Sequence, residues 1–156
     1  MTQDIHQLIA RAQAEYARCI DDGDLDQWPE FFTESCVYRV TTAENYRRGF
    51  EISMIYAASH GMLVDRIASL RDANIYERHG YRHLLGQPSV ISDDGTEARS
   101  ETSFMVARIM RNGTTDLFAT GRYCDLYVRT EAGVQLRERI VVCDSSRVDT
   151  LLALPL

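Results

Sequence analysis

The chain contains no lysine. All seventeen of its basic residues are arginine, set against twenty-three acidic ones, for a net charge of −6. The missing lysine reads as a coding bias, but the acidic balance disfavours nucleic acid and anionic membrane surfaces as partners. Arg47-Arg48 is the only basic doublet and has no basic stripe around it. Long hydrophobic runs are also missing. The longest, Met54 to Ala58, is five residues, against the ~20 needed to cross a bilayer. The first ten residues, MTQDIHQLIA, lack a basic stretch followed by an apolar one, so no secretory signal is expected and the cytoplasm is the expected location.

Cysteine is sparse and scattered. Cys19, Cys36, Cys124 and Cys143 form no C-x2-C or C-x-H pair, which argues against a disulfide framework and against zinc or iron–sulfur ligation within the chain. Each stands in an apolar context and reads as a small buried hydrophobe. No G-x-S-x-G, phosphate-binding glycine loop or G-x-G-x-x-G is present. Asn112-Gly113-Thr114 fits a glycosylation sequon, yet without a secretion signal it reads as a turn.

What is present is a globular pattern. The 156 residues are 45% hydrophobic and 26% charged, enough for one domain spanning 1–156 and too few for two. Ile5, Leu8, Ile9, Ala12, Tyr16 and Cys19/Ile20 recur at helical spacing, with Asp4 and Gln7 placed as a capping box. Asp21-Asp22-Gly23 ends that helix, and Asp24 starts a short second one through Leu25, Trp28, Phe31 and Phe32, with Pro29 near its first turn. Cys36 to Thr41 reads as a strand, and Glu51 to Leu70 as helical, broken at His60-Gly61. Four strands follow, over 82–92, 98–111, 116–130 and 134–143. Asp94-Gly95, Asn112-Gly113 and Ala132-Gly133 supply the turns between them. In the last strand, Val134, Leu136, Ile140 and Val142 are expected on one face and Gln135, Arg137 and Arg139 on the other. Helices followed by an antiparallel meander give an α+β fold, helices on one face of a curved sheet. Phe104 to Ala107 is apolar on both faces of its strand, and 151–156 (LLALPL) is an apolar tail. Both point either to a partner subunit or to a tail folded over its own sheet.

Three polar constellations could carry chemistry. His79 and His83 stand four apart, but Gly80 and a strand start at His83 argue against a helical metal pair and for a structural role of Arg82-His83. Asp22, Asp24 and Asp26 alternate as in a calcium loop, but Gln27 and Thr33 hold the positions that need glycine and glutamate. Asp125 and Glu138 lie on adjacent strands. In one register they face each other as a proton-sharing pair; in the other they point to opposite faces, and charges alternating with Arg122, Arg129, Arg137 and Arg139 also make an ordinary ion-pair ladder.

Four stretches together resemble the small (β) subunit of aromatic ring-hydroxylating dioxygenases. They are 17–21 (ARCID) leading into 28–32 (WPEFF), 62–71 (MLVDRIASLR), 73–79 (ANIYERH) with Tyr81-Arg82-His83, and Glu138-Arg139 with 143–145 (CDS) and the 153–156 ending (ALPL). The resemblance runs from about residue 8 onward. It implies a cystatin-like or nuclear-transport-factor-like cone, with N-terminal helices packed on a strongly curved antiparallel sheet. It also implies a large-subunit partner holding a Rieske [2Fe-2S] cluster and a mononuclear iron, with three large and three small subunits assembled and fed by a nicotinamide-dependent reductase. On this resemblance the small subunit is structural, holds no catalytic, cofactor or metal residue, and belongs to a complex that dihydroxylates an aromatic acid. Terephthalate stands ahead of salicylate and anthranilate as that acid. Buried contacts with other subunits are expected at Phe104, Val106, Leu154 and Leu156, and polar ones at Arg82, His83 and Arg139. A second reading keeps a free-standing isomerase or dehydratase of the same fold, with Tyr16, Tyr38, Asp125 or His83 supplying the pocket.

Overall fold

The computed structural model describes residues 3–73, 79–146 and 154–156. Helix α1 (Ile5–Asp21) starts where the Asp4 carboxylate accepts from the His6 amide at 3.3 Å, satisfying one of the open donors of the first turn. It buries Ile9, Gln13, Tyr16, Ala17 and Ile20 along one stripe and ends as Gly23 adopts φ +76°, a left-handed conformation that a side chain would resist. The next segment is a 3-10 helix over Leu25–Phe31 rather than an α-helix, and Asp24 makes no side-chain cap. Its purpose is packing: Trp28 is fully buried, meeting Tyr38 edge-on at 5.1 Å and Phe32 at 5.6 Å.

Strand β1 runs over Phe32–Thr42, four residues earlier than the expected Cys36. A short helix α2 (Ala43–Arg47), which the sequence reading missed, follows with Thr42 Oγ1 accepting from Asn45 N. The expected helix over 51–70 is corrected in its first half. Ile55–Ala57 is a strand, β2, with Ile55 and Ala57 buried and Tyr56 exposed, so the apolar run there follows a period of two. Helix α3 (His60–Ala73) begins only at His60, where Ser59 Oγ accepts from the Met62 amide at 3.2 Å.

The expected strand over 82–92 is two strands, β3 (His79–Leu85) and β4 (Ser89–Asp93). Gly86-Gln87-Pro88 separates them, and Pro88 has no amide to continue a ladder. Strands β5 (Glu97–Met110), β6 (Thr115–Thr130) and β7 (Gly133–Cys143) match the expected meander closely. The sheet order is β2-β1-β7-β6-β5-β3, with β4 also paired to β5. The sheet is mixed rather than wholly antiparallel, because β1 runs parallel to β7.

A bulge revises the facing of β7. The pairing shifts from Leu126–Glu138 to Tyr127–Leu136, leaving Arg137 as the extra residue. Beyond it the alternation reverses. Leu136 is inward on one side of the bulge; Arg139, Val141 and Cys143 are inward on the other, so Ile140 and Val142 do not share the face of Leu136. The core sits between the inner face of the sheet and α1, α3 and the 3-10 helix.

Candidate functional site

The interior of the cone is lined by one connected polar cluster set among tyrosines. Arg139 on β7 lies directly opposite Asp125 on β6, and Glu138 lies opposite Leu126. The register therefore excludes a shared proton between Asp125 and Glu138 and builds an ion pair instead. Arg139 Nε donates to Asp125 Oδ1 at 2.9 Å and Nη2 to Oδ2 at 2.8 Å, a two-pronged contact in which neither side chain has any exposure. Nη2 also donates to the Tyr127 hydroxyl at 3.1 Å. Gln13 from α1 reaches the same group, donating to Thr102 Oγ1 at 2.8 Å and, at 3.4 Å, to Asp125 Oδ2. The guanidinium is sandwiched between the Tyr16 and Tyr123 rings, 4.2 and 3.9 Å from their centroids.

Burial works against the Arg139 charge. The Asp125 carboxylate and the surrounding hydroxyls more than offset it and hold the guanidinium well above its ordinary value. Burial pushes Tyr16, Tyr38, Tyr123 and Tyr127 upward, so all four remain protonated at neutral pH. A buried charge so paired and sandwiched organises a core; it offers no free proton acceptor for chemistry.

A second cluster joins α1 to β3. The Asp21 carboxylate accepts from the His83 amide at 2.9 Å and from the His83 ring Nδ1 at 2.7 Å, with both side chains nearly or fully buried. Arg82, exposed beside it, approaches Asp21 at 3.9 Å. These groups border a shallow hollow of about 360 Å³ with Arg18 and Asp22. His79 and His83 lie on the extended β3, where a four-residue step spans about 13 Å, too far for one metal. Among the described residues no three His, Cys, Asp or Glu side chains gather as a metal-binding group. A Rieske cluster or a mononuclear iron does not fit this donor set.

Most of the residues expected at a subunit contact belong to the chain's own core. Phe104 stacks on Tyr123 with centroids 4.7 Å apart, and Val106, Arg139 and Leu156 have no exposure. Leu154 is buried as well. The reason is that Phe104, Val106, Leu154 and Leu156 join the hydrophobic core, where Arg139 pairs with Asp125. His83 is buried, with its Nδ1 engaged by Asp21 and its Nε2 without a hydrogen-bond partner. Arg82 alone of the seven is exposed. It stands on a sheet face that presents Leu84, Met105 and Leu117, and β3–β5–β6 pairing brings these together as Leu84 opposite Met105 and Ala107 opposite Leu117. Residues 151–153 of the tail and 74–78 of the resemblance lie outside the described residues.

Sequence reasoning missed Asp21 as the partner of His83, and Gln13 as a member of the Asp125 cluster. Gln13 carried a signal, as a polar residue on an otherwise apolar helical stripe.

The profile of the SnoaL-like domain family matches residues 3–140. The chain is 51% identical over 148 residues to the terephthalate 1,2-dioxygenase terminal oxygenase component subunit beta 1 of Comamonas sp, covering 95% of this chain and 96% of that one. It is 37% identical to the anthranilate 1,2-dioxygenase small subunit of Burkholderia cepacia, covering 95% and 92%. A crystal structure from Novosphingobium aromaticivorans, assigned as the β subunit of an aromatic-ring-hydroxylating dioxygenase, superposes with a TM-score of 0.89. It is 34% identical, over 97% of this chain and 96% of the other. Among the described residues no helix is long and apolar enough to cross a membrane.

Proposed function

This chain belongs to the small (β) subunits of aromatic-ring-hydroxylating dioxygenases and to the SnoaL-like domain family, and from that membership we propose that it is the structural small subunit of a terminal oxygenase acting on terephthalate. The observation that carries the substrate is the 51% identity, across almost the whole of both chains, with terephthalate dioxygenase β subunits. In this reading residues 1–156 act as one domain in the cytoplasm. The Rieske cluster and the mononuclear iron reside in a large-subunit partner, a nicotinamide-dependent reductase supplies electrons, and three small subunits assemble with three large ones.

The small subunit's task is to hold large subunits in a fixed relation. Its cone is suited to that task because Asp125, Arg139, Gln13 and Thr102 bond one another and tie α1, β5, β6 and β7 together. One surface that could serve for contact is Arg82 with the exposed Leu84, Met105 and Leu117 beside it; Ile52, Tyr56, Met62, Val64 and Ile91 are exposed elsewhere. An exposed apolar group of this kind favours burial against another subunit.

The test is replacement. The chain is co-expressed with the large subunit of the Comamonas terephthalate oxygenase in place of that enzyme's own β subunit, and reductase, reduced nicotinamide and terephthalate are supplied. The expected result is a co-purifying complex that oxidises terephthalate faster than anthranilate or salicylate. Activity with anthranilate alone would refute the substrate; turnover by the small chain without any large subunit would refute the structural role. In the same complex, Met105→Glu with Leu117→Glu is expected to release the small subunit on size exclusion while leaving its own melting temperature within a few degrees.

A further inference from the structure

The Asp21 carboxylate spends both oxygens on His83, one on the main-chain amide at 2.9 Å and one on ring Nδ1 at 2.7 Å. Arg82, the nearest cation, is left 3.9 Å away with its side chain 69% exposed. Arg18, one turn before Asp21 on α1, is also exposed and pairs with no carboxylate among the described residues. Asp22 stands on the same rim and pairs with neither arginine. By contrast, Arg11, Arg48, Arg71, Arg122, Arg129 and Arg137 each meet a carboxylate of this chain. The two unspent guanidinium groups border the hollow of about 360 Å³ between α1 and β3, which has Ala14, Ala17 and Leu85 as its apolar walls. His83 lines it too, and its Nε2 has no hydrogen-bond partner, where a buried polar atom ordinarily has one. Taken alone, the chain leaves this corner incomplete.

We propose that this hollow is the socket for an acidic side chain of the large subunit, whose carboxylate is held between Arg18 and Arg82. The proposal rests on the large-subunit partnership argued above. A guanidinium presents parallel N–H donors that match the two oxygens of a carboxylate. An anion between the two arginines meets charge that the chain's own acids leave unpaired, which fixes orientation as well as contact. The socket is continuous with the apolar surface beside it. Arg82 lies opposite Ala107, Ala107 lies opposite Leu117, and Leu84 follows Arg82 two residues on, exposed on the same face opposite Met105. An apolar group flanked by charge that fixes register is the anatomy of a subunit contact. A free acid in the hollow would leave Leu84, Met105 and Leu117 uncovered, whereas a subunit covers both at once.

The test uses the complex of the full chain with the Comamonas large subunit. Arg18→Gln with Arg82→Gln is expected to raise the Kd of association at least tenfold at about 50 mM salt and to flatten its salt dependence, because the charges that salt screens are gone. Arg11→Gln with Arg48→Gln removes two arginines already paired within the chain and should leave the Kd within twofold. No loss in the first variant, or an equal loss in both, overturns the proposal. A second arm uses the absence of lysine from the chain. Arg82→Lys supplies a single side-chain amine, which a carbodiimide joins as an amide to a carboxylate in contact with it. The expected product links position 82 to an aspartate or glutamate of the large subunit. A link from position 82 only to this chain or to a second copy of it overturns the proposal, as does the lack of any link there in an intact complex. The two levels of failure separate. An unaltered chain that does not associate with the large subunit refutes the partnership and the socket with it, whereas association indifferent to both arginines refutes the socket alone.

Discussion

Replacing Asp125 by leucine should be among the most damaging single changes in the cone. The substitution removes the carboxylate that takes two hydrogen bonds from Arg139 and leaves that cation fully buried, with the Tyr127 hydroxyl at 3.1 Å as its hydrogen-bond partner and the Tyr16 and Tyr123 faces around it. Breaking a buried pair from one side costs about 3–5 kcal/mol, because the surviving charge is no longer compensated. For a chain of this size each kcal/mol lowers Tm by about 2–4 °C, so the loss should be roughly 6–20 °C. Arg139→Met should cost a similar amount, since it strands Asp125 with only the 3.4 Å contact from Gln13. The double variant replaces both charges by apolar groups and should recover most of either loss, because desolvation of the pair nearly cancels its attraction. Urea unfolding read through Trp28, the chain's single tryptophan and fully buried, gives the three free energies and their coupling. Single variants costing under about 1 kcal/mol each, or costs that simply add in the double variant, would refute the view that this pair is a coupled buried unit.

Three further outcomes follow from the same core. Gly121→Ala should strongly destabilise the β6–β7 ladder, because an added Cβ would sit 2.0 Å from the Val142 carbonyl oxygen, and main chain cannot swing aside as a side chain can; a melting temperature within 2 °C of the unaltered chain would contradict this. Burial raises Tyr16, Tyr38, Tyr123 and Tyr127 above the unfolded value of about 10, so the stability they confer is fully present below about pH 10 and is lost as pH climbs from there towards the folded values. Tyrosinate absorbance at 295 nm should therefore rise together with loss of the fold, and independent titration of all eight tyrosines near pH 10 in a folded chain would refute it. Burial, reinforced by Asp144, pushes the Cys143 thiol up to about 12, and burial with Asp24 and Asp22 pushes Cys19 up to about 11. A thiol reagent at pH 8 should therefore react slowly with the native chain and at once in denaturant, and a fast native phase would count against that.

The strands from β5 to β7 were legible because each is long, has turn residues at its ends and follows a period of two; Asp94-Gly95 and Asn112-Gly113 mark two of those turns, with Gly95 and Gly113 at positive φ. The first half of 51–70 was misread because a short apolar run carries both periods. Only pairing with β1, with Tyr56 opposite Arg39, makes Ile55–Ala57 a strand. The parallel placement of β1 beside β7 joins segments about a hundred residues apart, and nothing local encodes it. The bulge at Arg137 was invisible for a related reason. An unbroken alternation through 134–143 put Arg139 opposite to Val134 and Leu136, and one extra residue reversed it. That single residue decides the site. It turns Arg139 inward onto Asp125 and separates Asp125 from Glu138.

The same reversal accounts for how a polar constellation that looked catalytic came to tie strands and helix together inside the cone. A cone that works as an enzyme needs an acid or base with an unspent proton site facing a ligand. Here the carboxylate of Asp125 is taken by Arg139 and Gln13, the guanidinium by Asp125, Tyr127 and two ring faces, and His83 Nδ1 by Asp21. Each bond ties one secondary-structure element to another: β6 to β7, α1 to β6, α1 to β3. Interactions spent in this way make the inner face rigid. In the proposed complex, that rigidity would let an outer face such as the one with Arg82, Leu84, Met105 and Leu117 hold a partner at a fixed position and orientation. Loosening the interior should therefore weaken assembly at a distance. Asp125→Leu is expected to lower complex yield although Asp125 itself lies wholly inside the chain. Undiminished co-purification of that variant with the large subunit, at a temperature where the small chain alone is half unfolded, would separate assembly from core rigidity and sink this account.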